Sequence, residues 1–308
     1  MRLRNRFLLV GLGVLLFVLL TPALILFAGG FKFDFSTFKI IKTGSLVVRS
    51  EPSRAEIFID SEKKRSTPAV IRFLTPNDYT ITISKNNYQS WTKRLAIRSQ
   101  LVTWANLNRD FITLFMATPI LQKKSPAQTS NQEDQDITAW QIIENRLVRV
   151  NPNDQGQQVV IDNLPSHETS KIILGGNYLF LLLDSTLYKL NDGLEQIYQP
   201  VVDANWDKPS DKLVLFNNNE ILLYDPISSS SPDLVLRSIS PISAAKLNWF
   251  TGYVFFQNEG KIKAIELDGR DHRNTYTIVD AMDDFELDEK GKILQVFDQK
   301  EVKEYQIR

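Results

Sequence analysis

The chain has no cysteine among its 308 residues. That absence excludes disulfides, zinc–thiolate sites and thiol nucleophiles together, and it suits an extracytoplasmic bacterial protein as well as a reduced cytosolic one. Histidine is nearly as scarce. His167 and His272 are the two present, both in polar, loop-like stretches and with no second ligand at metal-binding spacing, so no metal centre is expected and each reads as a solvated loop residue. There is no excess charge of either sign: 36 Lys+Arg balance 36 Asp+Glu. No global field draws the protein to nucleic acid, which is not an expected partner. No GxSxG elbow and no phosphate-binding P-loop occur.

One long uncharged run is present instead. Phe7 to Ala28 comprises 22 residues without a charge, and at the rise of a helix it reaches about 33 Å, enough to span a hydrocarbon core. A cleaved secretory signal has a shorter apolar region ending in a small-x-small site. Here Leu26 occupies the −3 position of the one plausible cut, after Ala28, so a retained anchor is expected. Gly11, Gly13 and Pro22 within it are tolerated in lipid-embedded helices. Arg2, Arg4 and Arg6 precede the run while Lys32, Lys39 and Lys42 follow it, a slight bias that places the N-terminus in the cytoplasm and the remainder outside.

The roughly 280 residues beyond the anchor are enough for two domains. Gln122 to Asp136 (QKKSPAQTSNQEDQD) lacks any large apolar residue and reads as a solvated linker between them. Upstream of it, Ser45–Ser50, Ala55–Asp60, Ala69–Phe73 and Tyr79–Ser84 alternate near period two with β-branched and aromatic residues, and Pro/Asn/Asp/Ser clusters punctuate them. These strands predict a small antiparallel sandwich, with Leu101 to Phe115 as a further β segment.

The ordered set Ser50-Glu51-Pro52-Ser53-Arg54-Ala55-Glu56-Ile57-Phe58-Ile59-Asp60, Thr67-Pro68, Pro76-Asn77-Asp78-Tyr79-Thr80-Ile81-Thr82-Ile83 and Lys85-Asn86-Asn87-Tyr88 resembles a PEGA domain. The resemblance implies a non-enzymatic surface or envelope module, because the family's shared residues are turn and core positions. The family usually carries Gly where this chain has Arg54, Ser61, Asn77 and Asn87. Asn tolerates the left-handed region those turns use, whereas Arg does not.

Downstream, polar-punctuated hairpins recur. The first apolar residue after each turn is Leu147, Leu187, Ile221, Ile262 and Val302, at spacings of 40, 34, 41 and 40 residues. The turns are Glu144-Asn145, Asp184-Ser185, Asn217-Asn218-Asn219, Glu259-Gly260 and Asp298-Gln299. A period near 40 is the length of a four-stranded propeller blade. Asp203 to Phe216 aligns without gaps on Asp284 to Phe297, giving two blades in one register. Five blades follow, the first and last incomplete, with a strand from Phe111 to Leu121 able to supply the missing piece. The likeness to WD40-type propellers is at fold level, since no Gly-His…Trp-Asp signature is present, and fold does not carry function.

The fold class expected is therefore all-β: a transmembrane signal anchor over 1–30, a juxtamembrane segment over 31–44, a PEGA-like β-sandwich over 45–120, a polar linker over 121–136 and a β-propeller-like domain over 137–308. Among candidate site residues, Asp284-Phe285-Glu286-Leu287-Asp288 imitates a calcium loop, but Glu289 stands where Gly is required, so the segment reads as a strand face. Trp91 and Trp104 read as sandwich core, and Trp140, Trp206 and Trp249 as blade core in preference to a sugar platform. No catalytic, cofactor or metal residue emerges. The expected function is a non-enzymatic, single-pass membrane-anchored envelope protein whose PEGA-like and propeller domains act as a binding or structural module outside the cytoplasm, with an envelope protein or cell-wall polymer as the expected partner. The alternative is a propeller-based glycan hydrolase, which needs two opposed carboxylates in one pocket.

Overall fold

A computed structural model describes residues 3–34, 38–107, 110–126, 139–151, 156–228, 231–280, 284–297 and 301–308. It opens with α1 (Leu3–Ala28), of which Val10–Ala28 has a mean hydropathy of 2.7 with none of that span buried in protein. Among the described residues this is one helix long and apolar enough to cross a membrane. A Cβ added at Gly11 or Gly13 would meet nothing within 4 Å, so no protein element packs there. Gly29 and Gly30 (φ 76°) then turn the chain into an antiparallel hairpin, β1 (Phe31–Asp34) with β2 (Lys39–Lys42).

The chain divides into two compact units. The first holds residues 1–86, 90–114 and 270–272, and the second the rest. In the first, β3 (Gly44–Val48), β4 (Ser50–Glu51), β5 (Glu56–Ile59), β6 (Glu62–Ser66), β7 (Ala69–Leu74), β8 (Asn77–Ser84), β9 (Trp91–Ile97), β10 (Val102–Trp104) and β11 (Ile112–Thr113) form two sheets and a short bridge. One sheet runs β6-β5-β8-β9 and is antiparallel throughout. The other runs β10-β3-β7, with β10 parallel to β3, and β11 also pairs in parallel with β4. The purely antiparallel sandwich expected from the strand pattern is corrected on this point. Leu101–Phe115 contributes strands that return to the same edge as the chain start, which local alternation does not reveal.

Period-two burial builds the core: Leu46 and Val48, Ile57 and Ile59, Ile81 and Ile83, then Trp91, Lys93, Leu95 and Ile97 all point inward. Between strands, the Ser50 and Thr67 hydroxyls share a 2.6 Å hydrogen bond, and the Ala55 N–H donates to the Thr67 hydroxyl. Three of the four positions where the PEGA pattern has Gly adopt left-handed backbone: Arg54 (φ 62°), Ser61 (φ 68°) and Asn87 (φ 66°). Asn77 lies in β8 and does not. Arg54 therefore holds the family's turn despite its side chain, at a cost of about 1–2 kcal/mol for an L-residue. Glycine there removes that cost and gives back about 0.5–1 kcal/mol in chain entropy. Arg54→Gly is expected to raise stability by about 0.5 kcal/mol and Arg54→Val to lower it, read from chemical unfolding midpoints; a Gly variant less stable than the parent would contradict the assignment.

The second unit begins with β12 (Ile120–Pro126) and continues as β13 (Trp140–Ile143), β14 (Arg146–Val150), β15 (Gln157–Ile161), β16 (Ser170–Gly175), β17 (Tyr178–Leu183), β18 (Thr186–Leu190) and β19 (Leu194–Tyr198). Then follow β20 (Asp203–Asp207), β21 (Lys212–Phe216), β22 (Glu220–Tyr224), β23 (Asp233–Arg237), β24 (Ile242–Asn248), β25 (Tyr253–Asn258), β26 (Lys261–Glu266) and β27 (Thr275–Asp280). The series ends with β28 (Asp284–Leu287), β29 (Ile293–Phe297) and β30 (Glu301–Gln306). Among the described residues they make five successive sheets: β13-β14-β15, β16 to β19, β20 to β23, β24 to β27, and β12-β30-β29-β28. The repeat read from spacing is thus a repeat of meander sheets.

The last sheet takes its fourth strand from upstream, with Ile120 opposite Gln306 and Pro126 opposite Glu301. That strand starts nine residues after Phe111 and reaches into the stretch read as linker; 127–136 lie outside the described residues, as does the Asp298-Gln299 turn.

Burial explains why sheet follows sheet. The middle strands β17 (YLFLLL) and β25 (YVFFQN) are apolar in both phases of their alternation because both faces are covered. Leu179, Leu181 and Leu183 pack with Leu147 of the first sheet, while Phe180 and Leu182 pack with Leu213 and Leu215 of the third. Val214 and Phe216 turn to Val254 and Phe256, and Phe255 to Phe285, Leu294 and Val296. Each of the three middle sheets is sandwiched by its neighbours, the arrangement of propeller blades. The hairpins close on left-handed pairs, Glu144 (φ 49°) with Asn145 (φ 58°) and Glu259 (φ 55°) with Gly260 (φ 71°), as tight two-residue turns demand. Asp203 pairs with Phe216 and Asp284 with Phe297, so the gap-free alignment is structurally true.

Candidate binding site at the inner strand ends

The first strands of neighbouring sheets, β13, β16, β20 and β24, lie against one another. A side chain from each of three bridges to the next sheet. Lys171 Nζ donates to the Asp203 carboxylate (2.6 Å) and the Ala204 carbonyl (3.1 Å); Lys246 Nζ donates to the Glu286 carboxylate (2.6 Å) and the Phe285 carbonyl (2.7 Å), with Asp284 at 3.4 Å. Between them, Asn205 Nδ2 donates to the Ala245 carbonyl at 3.1 Å. Asp203 and Asp284 each also accept the N–H of the following residue at 2.8 Å. The aligned Asp203 and Asp284 thus do the same work in two sheets: each holds a lysine from the sheet before. Composition and spacing miss this device. The signal was there as a lysine 32 residues before Asp203 and another 38 before Asp284.

At the C-terminal ends of β20, β24 and β28 these strands enclose an open cavity of about 500 Å³. Trp206 and Trp249 both contribute to its wall, and each is half-buried, with part of the indole packed on a core cluster. Trp206 fits because residue 175 is Gly: a Cβ there would sit 2.1 Å from Trp206 Cδ2. Tyr178 and Phe180 flank the same indole at centroid distances of 6.2 and 5.9 Å. Its Nε1 is buried and has no hydrogen-bond partner among the described residues.

Three acids of this mouth, Asp207, Glu286 and Asp288, are engaged in turns or pairs, and Glu289 also lines it. Asp207 accepts from the Ser210 N–H (3.0 Å) and hydroxyl (2.6 Å), Asp288 accepts from the Ile293 N–H (2.6 Å), and Glu286 holds Lys246. Elsewhere in the second unit, Arg237 with Asn217 holds the Glu220 carboxyl below its usual range. Burial pushes Asp225 up, but the Lys212 ammonium and the Ile227 and Ser228 N–H groups outweigh it and bring it down. These carboxylates serve as turn caps and pair partners.

Of the three tryptophans weighed as a sugar platform, the structure brings two to one cavity. Trp140 is not among them and lies beside the Arg149 guanidinium at 5.6 Å. Trp91 is fully buried, whereas Trp104 is 39% exposed beneath the Arg49 guanidinium. Trp104 is therefore not a core residue, because β10 is an edge strand with one open face. His167 is half-buried beside the Pro165 carbonyl, and His272 is exposed beside Asp271. Among the described residues no three His, Asp or Glu side chains cluster in a way that could hold a metal ion. Asp284–Leu287 is a strand, and Asp288 caps the turn that follows.

No curated protein matches the chain. Among solved structures, an extracellular domain described as that of a one-component system from B. thetaiotaomicron is similar over 83% of this chain and 32% of its own length, with 12% identity and a TM-score of 0.39. The C-terminal WD40 domain of Sif2 is similar over 85% of this chain and 69% of its own, with 10% identity and a TM-score of 0.39. YCF48 bound to D1 peptide is similar over 87% and 96%, with 10% identity and a TM-score of 0.39. The chain thus spans about a third of the first of these proteins. Residues 43–110 match the PEGA domain, and that module is the part of the chain with a family assignment.

Proposed function

We propose that the chain is a non-enzymatic, single-pass envelope protein, anchored by α1 with its N-terminus in the cytoplasm, whose two units bind an envelope protein or a cell-wall polymer outside. The observation that carries the binding part is the convergence of Trp206 and Trp249 on one open cavity of about 500 Å³. Flat aromatic faces beside exposed charge suit a chain-like, partly polar ligand laid across the strand ends, since each ring offers apolar area at low entropic cost. Glycan hydrolysis asks for a carboxylic acid kept protonated in the pocket. Asp207, Glu286 and Asp288 are instead taken up by a serine, a lysine and a backbone N–H, and they serve as turn caps and pair partners, an arrangement that suits binding.

The absence of cysteine makes the topology directly testable. Ile239→Cys, at an exposed position, is expected to react with a membrane-impermeant maleimide on intact cells, and Asn5→Cys only after lysis; the reverse pattern overturns the orientation. A photocrosslinking residue in place of Lys208, at the cavity mouth, is expected to capture an envelope protein or wall fragment. Trp249→Ala is expected to reduce capture at least tenfold, the factor that corresponds to about 1.4 kcal/mol. Equal capture by a folded Trp249→Ala chain would remove the cavity from the proposal.

A further inference from the structure

The hairpin that follows α1 has a composition its position explains. Its register places Phe31, Phe33, Ile40 and Lys42 on one face, and Lys32, Ile41 and Lys39 on the other. Phe33 (42% exposed) and Ile40 (53%) are opposed across the strands, and Phe38 (78%) adds an edge-on ring 6.2 Å from Phe33. A two-stranded hairpin is marginal in water by itself, and here Phe33, Phe38 and Ile40 are left exposed. The same residues continue an apolar surface that begins on the helix. Leu26, Phe27, Phe31, Phe33, Ile40 and Phe73 line one concavity of about 590 Å³. Phe27 stacks on Phe73 at 4.6 Å.

The connection is short and fixed. The Thr43 N–H and hydroxyl both donate to the Gly30 carbonyl, at 2.9 and 2.6 Å, so the hairpin starts and ends at the helix terminus. If α1 fills the hydrocarbon core, Gly30 lies at its boundary and the hairpin falls in the interfacial layer. That layer suits this composition: rings and aliphatic groups at the acyl boundary, with Lys32, Lys39 and Lys42 extending stems along it toward headgroups.

We infer that β1 and β2, with Phe38, form a membrane-interface foot, whose Phe33, Phe38 and Ile40 insert into the outer edge of the bilayer that holds α1 while its lysines meet anionic headgroups. The inference rests on α1 being a retained anchor. The partner is the lipid surface; continuity with the spanning helix and the alternation of aromatic and lysine residues select it over another protein.

The full chain, reconstituted in phosphatidylcholine–phosphatidylglycerol vesicles, carries one environment-sensitive nitrobenzoxadiazole label at Ile40→Cys, Phe38→Cys, Leu16→Cys or Ile239→Cys in turn. Nitroxide placed on the upper acyl chain is expected to quench labels at 40 and 38 to nearly the extent seen at 16. Aqueous iodide is expected to quench them several-fold less than at 239. Lipid quenching at 16 with none at 38 or 40 overturns the foot and leaves the anchor intact; none at any of the three overturns both. Protection from iodide without lipid quenching would mean that a second copy covers the face, and would likewise overturn the inference.

Discussion

Truncating Phe115 to alanine is expected to cost about 3–5 kcal/mol, the range for emptying a buried aromatic site. Phe115 is 1% exposed, and its ring meets those of Tyr253 and Phe255 edge-on at 5.0 and 5.7 Å and that of Tyr276, tilted, at 5.7 Å. The surrounding groups have little freedom to collapse. Tyr253 is buried enough that desolvation pushes its hydroxyl far above the usual range, and the Phe115 carbonyl is fixed by the Gln89 N–H at 2.8 Å. Chemical unfolding of the detergent-solubilised chain provides the measurement, with Phe115→Leu as a milder control that keeps most of the volume. A loss below about 1 kcal/mol for the alanine variant would show that the cluster relaxes freely, contrary to the packing described.

The second large effect is expected from adding a single methyl group. Gly175→Ala places a Cβ 2.1 Å from Trp206 Cδ2 and 2.5 Å from Cε2, so the indole has to leave its seat. Overpacking of this kind costs about 1–3 kcal/mol. Because Trp206 also walls the cavity, the same variant is expected to lose capture through the residue-208 photocrosslinker. The direct test is a double-mutant cycle: with Trp206→Ala in the background the added methyl has room, so the double variant is expected to lose less stability than the sum of the singles. Strict additivity would mean that the clash is not the cause.

Much of this architecture is legible in the sequence because it depends on local periodicity. The turn pairs Glu144-Asn145 and Glu259-Gly260 mark hairpins, and the recurrence of Leu147, Leu187, Ile221, Ile262 and Val302 at intervals of 34 to 41 residues marks repeated sheets. What the sequence conceals is non-local. β10 and β11 return in parallel to β3 and β4, and although the incomplete repeats point to an upstream strand for the last sheet, they place it over 111–121, whereas it runs over Ile120–Pro126. Such pairings leave no periodic trace in either partner. The candidate site is half legible for the same reason. Trp206 and Trp249 stand out by type, but nothing local says that they share a cavity while Trp140 lies apart, since this follows from how far along each first strand the residue sits. Arg54 is instructive in the other direction: chain context forces a left-handed turn on a residue with no local preference for it.

The pairing of β12 with β30 sets a timetable for folding. Four of the sheets close from neighbouring strands and can form as soon as their own segments exist, but Ile120 has no ladder partner until Gln306 has been made. During that interval β12 offers an unpaired edge, and contacts of such high sequence separation are the slowest to find. The second unit is therefore most exposed to strand exchange with another copy late in synthesis, and the lysines of β12, Lys123 and Lys124, put charge on the edge during that wait.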